Sequence, residues 1–356
     1  MTHQSHMLLA LQLAEKGRLT VSPNPMVGCV IVQQDHIVGQ GYHQRAGEAH
    51  AEIHALQQAG QSAKGATAYV TLEPCCHYGR TPPCTQALIQ SGIKKIYVAC
   101  LDPNPLVAGK GVEALRQAGM TVEVGLEEQA AKNLNKIFFH YIQHKRPFVI
   151  AKWAMSIDGK TMTHPNDDRA ISGEEAKQFS HQMRQQVDAI LIGAKTAVLD
   201  NPLLTVRLNQ TSSKHPIRIV LSGKGNLPED LNLFSTAMPA RTIIFTTDDV
   251  DPTWQVRMLK NNIEVVVSKK NSSGKIDLNE MLLELGKRDI TSLLIEGGMQ
   301  THENFFAANL VNEIQVYIAP VIIGNLSTKK KLMNLSCKQI GNDYLVTAEQ
   351  IGETHV

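Results

Sequence analysis

Aromatic residues make up only 5% of this 356-residue chain, and 35 basic against 33 acidic residues leave a net charge of +2. A chain that grips RNA or DNA is expected to present a basic face with aromatic residues, and this composition argues against one. No apolar run approaches the roughly 18 residues that mark a membrane-spanning helix. The first thirteen residues include an apolar stretch, but Glu15 follows at once with no small-residue cleavage site, which argues against a secretory signal. The expectation is a soluble, cytoplasmic chain with neither a membrane nor a nucleic-acid partner. No Gly-x-Gly-x-x-Gly run occurs, which counts against a Rossmann dinucleotide site but leaves other NADP folds open.

Cysteine is also too scarce for a disulfide scaffold, with six in the whole chain. Five of the six, Cys29, Cys75, Cys76, Cys84 and Cys100, fall in the first hundred residues, and Cys337 stands alone. That uneven distribution points to metal binding or catalysis.

With 43% hydrophobic and 19% charged residues, the length suits two globular domains. Periodicity predicts a helix over residues 7–14, a hairpin of strands over 27–32 and 37–42, and a helix over 51–59. Alternation continues with strand 66–72, helix 83–91, strand 95–99, helix 111–118 and one long helix over 126–141. Such alternation belongs to an α/β sheet with helices on its faces. The polar stretch Gln143-His144-Lys145-Arg146-Pro147 then marks a boundary, dividing the chain into residues 1–145 and 146–356. In the second part strands are expected over 148–154, 189–192, 217–221, 242–245, 292–295 and 313–319, with helices over 174–187, 278–285 and 301–308. A second α/β domain follows.

His50-Ala51-Glu52 opens a predicted helix, Pro74-Cys75 opens the next strand-to-helix junction, and Cys84 lies nine positions beyond Cys75. One imidazole and two thiolates make three zinc ligands, which leaves a fourth tetrahedral position for water, as in catalytic rather than structural sites. Zinc lowers the pKa of such a water to about 7. Glu52, in the same helical turn as His50, is placed to take up the proton and pass it to a leaving amine. Zinc nucleobase deaminases combine these groups, but with two residues between their cysteines rather than the eight found here. Cys76 offers an alternative ligand in the same turn, and Pro74 favours Cys75. His54 stands four residues after His50, but Ala51 occupies the place of a metalloprotease glutamate, so His54 reads as an ordinary helix residue. Cys29 and Cys100 read as core.

Four segments, Pro23-Asn24-Pro25-Met26-Val27-Gly28, Gly41-Tyr42-His43, His50-Ala51-Glu52 and the run from Glu73-Pro74-Cys75-Cys76-His77-Tyr78-Gly79-Arg80 through Thr81-Pro82-Pro83-Cys84, resemble the bifunctional riboflavin-biosynthesis deaminase/reductase family. The likeness extends over nearly the whole chain. It implies a cytidine-deaminase-like domain followed by a dihydrofolate-reductase-like α/β domain. The first would hydrolyse the 2-amino group of 2,5-diamino-6-ribosylamino-4(3H)-pyrimidinone 5′-phosphate, with zinc on His50, Cys75 and Cys84, Glu52 as proton shuttle, and Asn24 on the substrate. Read from the residues alone, Asn24 between two prolines is equally a turn device. His77 and Arg80 are further polar residues near the metal.

The second domain would bind NADPH and reduce the ribosyl group to ribityl. The family pattern puts Ala154, Ala170, Thr196, Asp200, Gly298, Met299, Gln300 and Thr301 against the cofactor, and Arg184, Leu204, Arg207 and Glu296 against the substrate, the two arginines gripping its phosphate. Residues 193–196, 200–207 and 296–301 read as ligand loops at strand ends, and the glycines of the last suit close approach of a phosphate to a helix N-terminus. Without the resemblance, Arg184 reads as part of a solvated helix face. The chain departs from the family at Asp168-Arg169-Ala170, where a small hydroxyl residue followed two positions on by tryptophan is common. Lys152 and Asp158 suit structural pairing and receive no catalytic role. The expected partner is a small pyrimidine ribosyl phosphate, and a homo-oligomer is compatible with all of this. Two other readings use the same residues: a deaminase acting on a base in RNA with a C-terminal binding module, and a structural zinc clip with Cys76 or His77 as fourth ligand.

Overall fold

The computed structural model describes residues 2–77, 82–105, 107–161, 171–208, 214–235, 240–261, 263–324, 330–340 and 343–350. Two compact units divide the chain: residues 1–148 with 282–292, and residues 149–281 with 293–356.

In the first unit, helix α1 (His3–Glu15) precedes strands β1 (Gly28–Gln33) and β2 (His36–Tyr42), then α2 (Ala51–Ala59), β3 (Thr67–Val70), α3 (Cys84–Gln90), β4 (Lys95–Val98), α4 (Lys110–Gln117) and β5 (Thr121–Val124). The five strands form one sheet in the order β2-β1-β3-β4-β5. The hairpin partners β1 and β2 run antiparallel, as do β1 and β3, whereas β3, β4 and β5 are mutually parallel. Strand β1 is apolar at nearly every position because both of its faces are covered. Cys29 and Ile31 pack with Ala51, Ala55, Leu88 and Leu115 on one side. On the other, Val30 and Val32 pack with Met7, Ala10 and Tyr69. Cys29 and Cys100 are fully buried, as their apolar surroundings in the sequence suggest.

The long helix expected over 126–141 is instead two, α5 (Glu128–Leu134) and α6 (Lys136–His144), broken at Asn135. The backbone leaves helical values at Asn135, where φ is −105 and ψ 20. Asn135 is buried, its Oδ1 accepting from Met26 N and its Nδ2 donating to Met26 O, both at 2.8 Å. These bonds tie the helical layer to the turn that carries Asn24. Strand β5 has no counterpart in the periodicity reading, because its four residues carry one buried side chain, Val122.

The second unit contains β6 (Phe148–Ser156), α7 (Glu174–Gln186), β7 (Ala189–Gly193), α8 (Ala194–Asp200), β8 (Ile217–Leu221), β9 (Thr242–Thr246), α9 (Pro252–Lys260) and β10 (Glu264–Val267), then, after helix α10 (Leu278–Gly286), whose residues 282–286 count with the first unit, β11 (Ser292–Ile295), α11 (Met299–Ala307) and β12 (Glu313–Ala319). Its seven-stranded sheet has the order β10-β9-β8-β7-β11-β6-β12. Strands run outward from β7 through β8, β9 and β10 on one side, while the neighbour on its other side is β11, parallel to it. The order of strands therefore reverses between β7 and β11, and open α/β sheets bind ligands beyond the carboxyl ends of strands at such a point. A smaller sheet of β13 (Val321–Ile322), β14 (Lys330–Ile340) and β15 (Asp343–Gln350) follows. Residues 194–196 and 200, read from sequence as parts of ligand loops, lie in helix α8. Alanines 194 and 197 favour helix there, and Ala197 is buried.

Replacing Asn135 with Ala leaves the half-buried Met26 N–H and C=O without their partner, at up to about 1–3 kcal/mol for each group. We expect a lower urea midpoint for Asn135→Ala and a larger loss of deamination than of reduction. An unchanged midpoint would show that Asn135 does not secure the turn.

Candidate functional site

The first unit builds its site from two helix starts and the end of a strand. His50 is the N-cap of α2, Glu52 lies in the first turn of that helix, and Cys84 is the first residue of α3. Cys75 follows β3 by five positions. Among the described residues His50, Cys75 and Cys84 form the one such donor group, their donor atoms all within 4.8 Å of one another. His50 Nδ1 lies 3.6 Å from Cys75 Sγ and 3.3 Å from Cys84 Sγ. Tetrahedral zinc, at about 2.0–2.1 Å from nitrogen and about 2.3 Å from sulfur, requires nitrogen–sulfur separations of roughly 3.5 Å. The donor set therefore fits zinc both in chemistry and in spacing.

The electrostatics agree. Hydrogen bonding from the Cys84 thiol, helped by His50 and by the Cys84 backbone N–H at 3.3 Å, holds Cys75 well below the ordinary thiol range. Thiolates at a helix N-terminus are stabilised in this way. Burial pushes the Glu52 carboxyl up, and its Oε2 atom is buried without a hydrogen-bond partner. A carboxylate left so is costly in a structural role and suits a group that exchanges a proton with a ligand. Cys76 is not part of the donor cluster, and His54 is a partly buried residue of α2.

His50, Glu52 and Cys75 line a cavity of about 540 Å³, together with Asn24, His43, Glu73, His77, Asp102 and Asn104. His43 Nδ1 lies 3.2 Å from Ala49 O and donates to it, so Nε2 accepts from Asn24 Nδ2 at 3.2 Å. That arrangement orients the Asn24 amide. Arg80 falls outside the described residues. Asp102 and Asn104 were not singled out in the sequence, although Pro103-Asn104-Pro105 repeats the tripeptide Pro23-Asn24-Pro25 and signals a second loop of the same kind. Burial raises the Asp102 carboxyl to about 6.

In the second unit Arg184 and Glu296, their side chains 14% and 8% exposed, form a fork-to-fork pair, Nε to Oε1 at 2.9 Å and Nη2 to Oε2 at 2.7 Å. Arg184 Nη1 also donates to Thr205 O at 3.2 Å. Arg184 is thus not part of a solvated face, and its fork is directed at Glu296. Burial alone would raise the Glu296 carboxyl, but the Arg184 guanidinium outweighs it and holds the group below its ordinary value. Arg207 is exposed, and Leu204 is buried with φ +52, a strained conformation for a leucine.

Thr196 sits in the first turn of α8, Asp200 ends that helix, and Gly298 caps α11, whose first turn holds Met299, Gln300 and Thr301. At Gly298 φ is +69, and a Cβ there would lie 2.9 Å from Thr196 Oγ1, so the two helix starts meet closely. Ala154 is half-buried on β6. Ala170 and its neighbours Asp168 and Arg169 lie outside the described residues. Asp158 accepts from Ile323 N at 3.1 Å and Gly324 N at 2.7 Å, a structural use. Lys152 stands 5.2 Å over the Tyr317 ring.

Residues 1–100 match the model of the cytidine and deoxycytidylate deaminase zinc-binding region, and residues 147–346 that of the RibD C-terminal domain. Fold and site together define a zinc-dependent deaminase of cytidine-deaminase-like fold joined to an NADPH-dependent reductase of dihydrofolate-reductase-like fold. The riboflavin biosynthesis protein RibD of Actinobacillus pleuropneumoniae is 43% identical, over 99% of this chain and 94% of the relative. Solved structures of RibD from Acinetobacter baumannii and of a diaminohydroxyphosphoribosylaminopyrimidine deaminase/5-amino-6-(5-phosphoribosylamino)uracil reductase from Thermotoga maritima are each 34% identical. They superpose with TM-scores of 0.81 and 0.79, each match covering 98% of both chains. The chain belongs to the RibD family of riboflavin-biosynthesis proteins. Among the described residues, no helix is long and apolar enough to cross a membrane.

Cys84→Ser should lower bound metal from about one zinc per chain to a small fraction, read by elemental analysis after dialysis. Retention of stoichiometric zinc would remove Cys84 from the ligand set. Arg184→Ala should destabilise the second unit by about 3–5 kcal/mol, because it leaves Glu296 buried and unpaired. In the unaltered protein Glu296 has a depressed native pKa. Its contribution is present above the ordinary value of 4.5 and is lost as pH falls through the native one. Denaturant titrations across that range should therefore show the variant and the parent converging in acid.

Proposed function

We propose that residues 1–145 hydrolyse the 2-amino group of 2,5-diamino-6-ribosylamino-4(3H)-pyrimidinone 5′-phosphate, and that residues 146–356 reduce the ribosyl chain of the product. The outcome is 5-amino-6-ribitylamino-uracil 5′-phosphate. The carrying observation is the buried Glu52 carboxyl, whose Oε2 has no hydrogen-bond partner, beside the His50, Cys75 and Cys84 donor set, with His50, Glu52 and Cys75 lining one cavity.

His50, Cys75 and Cys84 hold the zinc ion, which when bound supplies Lewis-acid activation of water at neutral pH. Glu52 takes a proton from the attacking water and delivers it to the departing amine, as C2–N cleaves and ammonia leaves. A positioned acid–base group of this kind is worth about 10²–10⁴ in rate. The raised pKa of Glu52 suits both halves of that exchange. Asn24, oriented by His43, meets the ring.

In the reductase domain NADPH supplies the hydride, and the protein contributes position and exclusion of water. Thr196, Asp200, Ala154 and residues 298–301 face the cofactor, a reading supported by the close approach of the two helix starts where the strand order reverses. Arg184, Leu204, Arg207 and Glu296 face the substrate. With the Arg184 fork directed at Glu296, exposed Arg207 is the guanidinium that meets the phosphate. The substrate is a free small molecule, handled in the cytoplasm, rather than a base within RNA.

Incubating the full-length protein with the diaminopyrimidine phosphate should release ammonia whether or not NADPH is present, and NADPH should be oxidised only as deaminated product accumulates. Glu52→Gln should abolish ammonia release while zinc is retained. Deamination that survives this substitution would sink the assignment of Glu52, and consumption of the product without NADPH would sink the reductase.

A further inference from the structure

The proton transfer assigned above makes no use of Glu73, a buried carboxylate two residues before Cys75. Three backbone N–H groups donate to it. Asp102 N and Gly109 N meet Oε2 at 3.2 and 2.9 Å, and Val112 N meets Oε1 at 3.0 Å. Gly109 is the N-cap of α4 and Val112 is in its first turn, so Glu73 caps a helix that belongs to another segment.

Between Asp102 and Gly109 runs the loop that brings Asp102, Asn104 and Val107 to the cavity wall. Both ends of that loop are fastened to the same oxygen. Within it, Asn104 N donates to Asp102 Oδ1 at 2.8 Å, which sets one pocket residue against the other. The approach is close enough to constrain sequence at residue 111. A Cβ on Gly111 would lie 2.2 Å from Pro74 O and 3.1 Å from Glu73 Oε1. An amide in place of the carboxylate offers one acceptor oxygen where two are used, and turns an NH₂ group towards amide donors.

We propose that Glu73 is a positioning residue of the deaminase. By fastening both ends of the 102–109 loop it sets the wall formed by Asp102 and Asn104, and through them it governs how tightly the pyrimidine is held. The proton transfer by Glu52 proceeds without it. This rests on the reading of the cavity as the deamination site.

The test uses full-length, zinc-loaded protein carrying Glu73→Gln, beside the parent and Glu52→Gln. Deaminase KM should rise at least about tenfold with kcat changing less than about threefold, the signature of lost binding rather than lost chemistry. Zinc content and the reductase turnover of the same preparation should hold. Glu73→Gln in the Glu52→Gln background reads substrate affinity directly by calorimetry, where about tenfold weaker binding is expected. An unchanged KM and affinity would overturn the proposal. So would joint loss of zinc, reductase turnover and deamination, which would make Glu73 a folding residue. Deamination persisting in Glu52→Gln would instead fail the site assignment itself, whereas an inactive Glu52→Gln beside an unaltered Glu73→Gln confines the failure to Glu73.

Discussion

The first unit is organised around the meeting of an imidazole with two thiols at the starts of two helices. His50 caps α2, and Cys84 begins α3 with its N–H directed at the Cys75 sulfur. Helix starts carry unpaired N–H groups and a partial positive charge, so anionic sulfur is favoured there before any metal is considered. The sheet must therefore deliver two helix starts and one loop to a single point within a few tenths of an ångström. The double-sided burial of β1 provides the rigid base, with α2 and α3 packed against one face. Glu52 is carried to its position by the same helix that presents His50. Its missing partner is thus a consequence of how α2 is seated.

Around that centre the cavity walls are held by side chains that do not touch the reacting atoms. Asn135 clasps Met26 and so holds the turn of Asn24, while His43 orients the Asn24 amide. Glu73 does for the Asp102–Asn104 loop what Asn135 does for the Asn24 turn. Both are buried polar groups that break or cap helices on behalf of a loop. Their hydrogen bonds are spent on backbone rather than ligand, which suits a pocket that must be shaped before substrate arrives.

The second unit solves a different problem with the same economy of polar groups. Arg184 and Glu296 come from a helix and a strand end far apart in sequence, and each satisfies the charge of the other in a site largely closed to water. Thr205 joins them through its carbonyl oxygen, which draws the strained Leu204 segment to the same place. A glycine at the start of α11 lets the start of α8 approach.

Much of this was legible in the chain itself. The order of strands and helices follows from apolar periodicity, because elements packed on a sheet must repeat that pattern. The candidate zinc ligands follow from residue types that rarely coincide by chance, and the long insertion between Cys75 and Cys84 carries the likeness to the RibD family. Asn135, Glu73 and the start of α8 were not legible, since their partners lie far away in sequence and their residue types are common. Arg184 shows the limit most clearly: in sequence it sits in a polar helical stretch, and only packing reveals that it is buried. Composition, periodicity and motif determined the two α/β domains and the chemistry of the metal centre. Tertiary structure alone decided which polar side chains are buried, because burial and hydrogen bonding depend on what other segments bring to them.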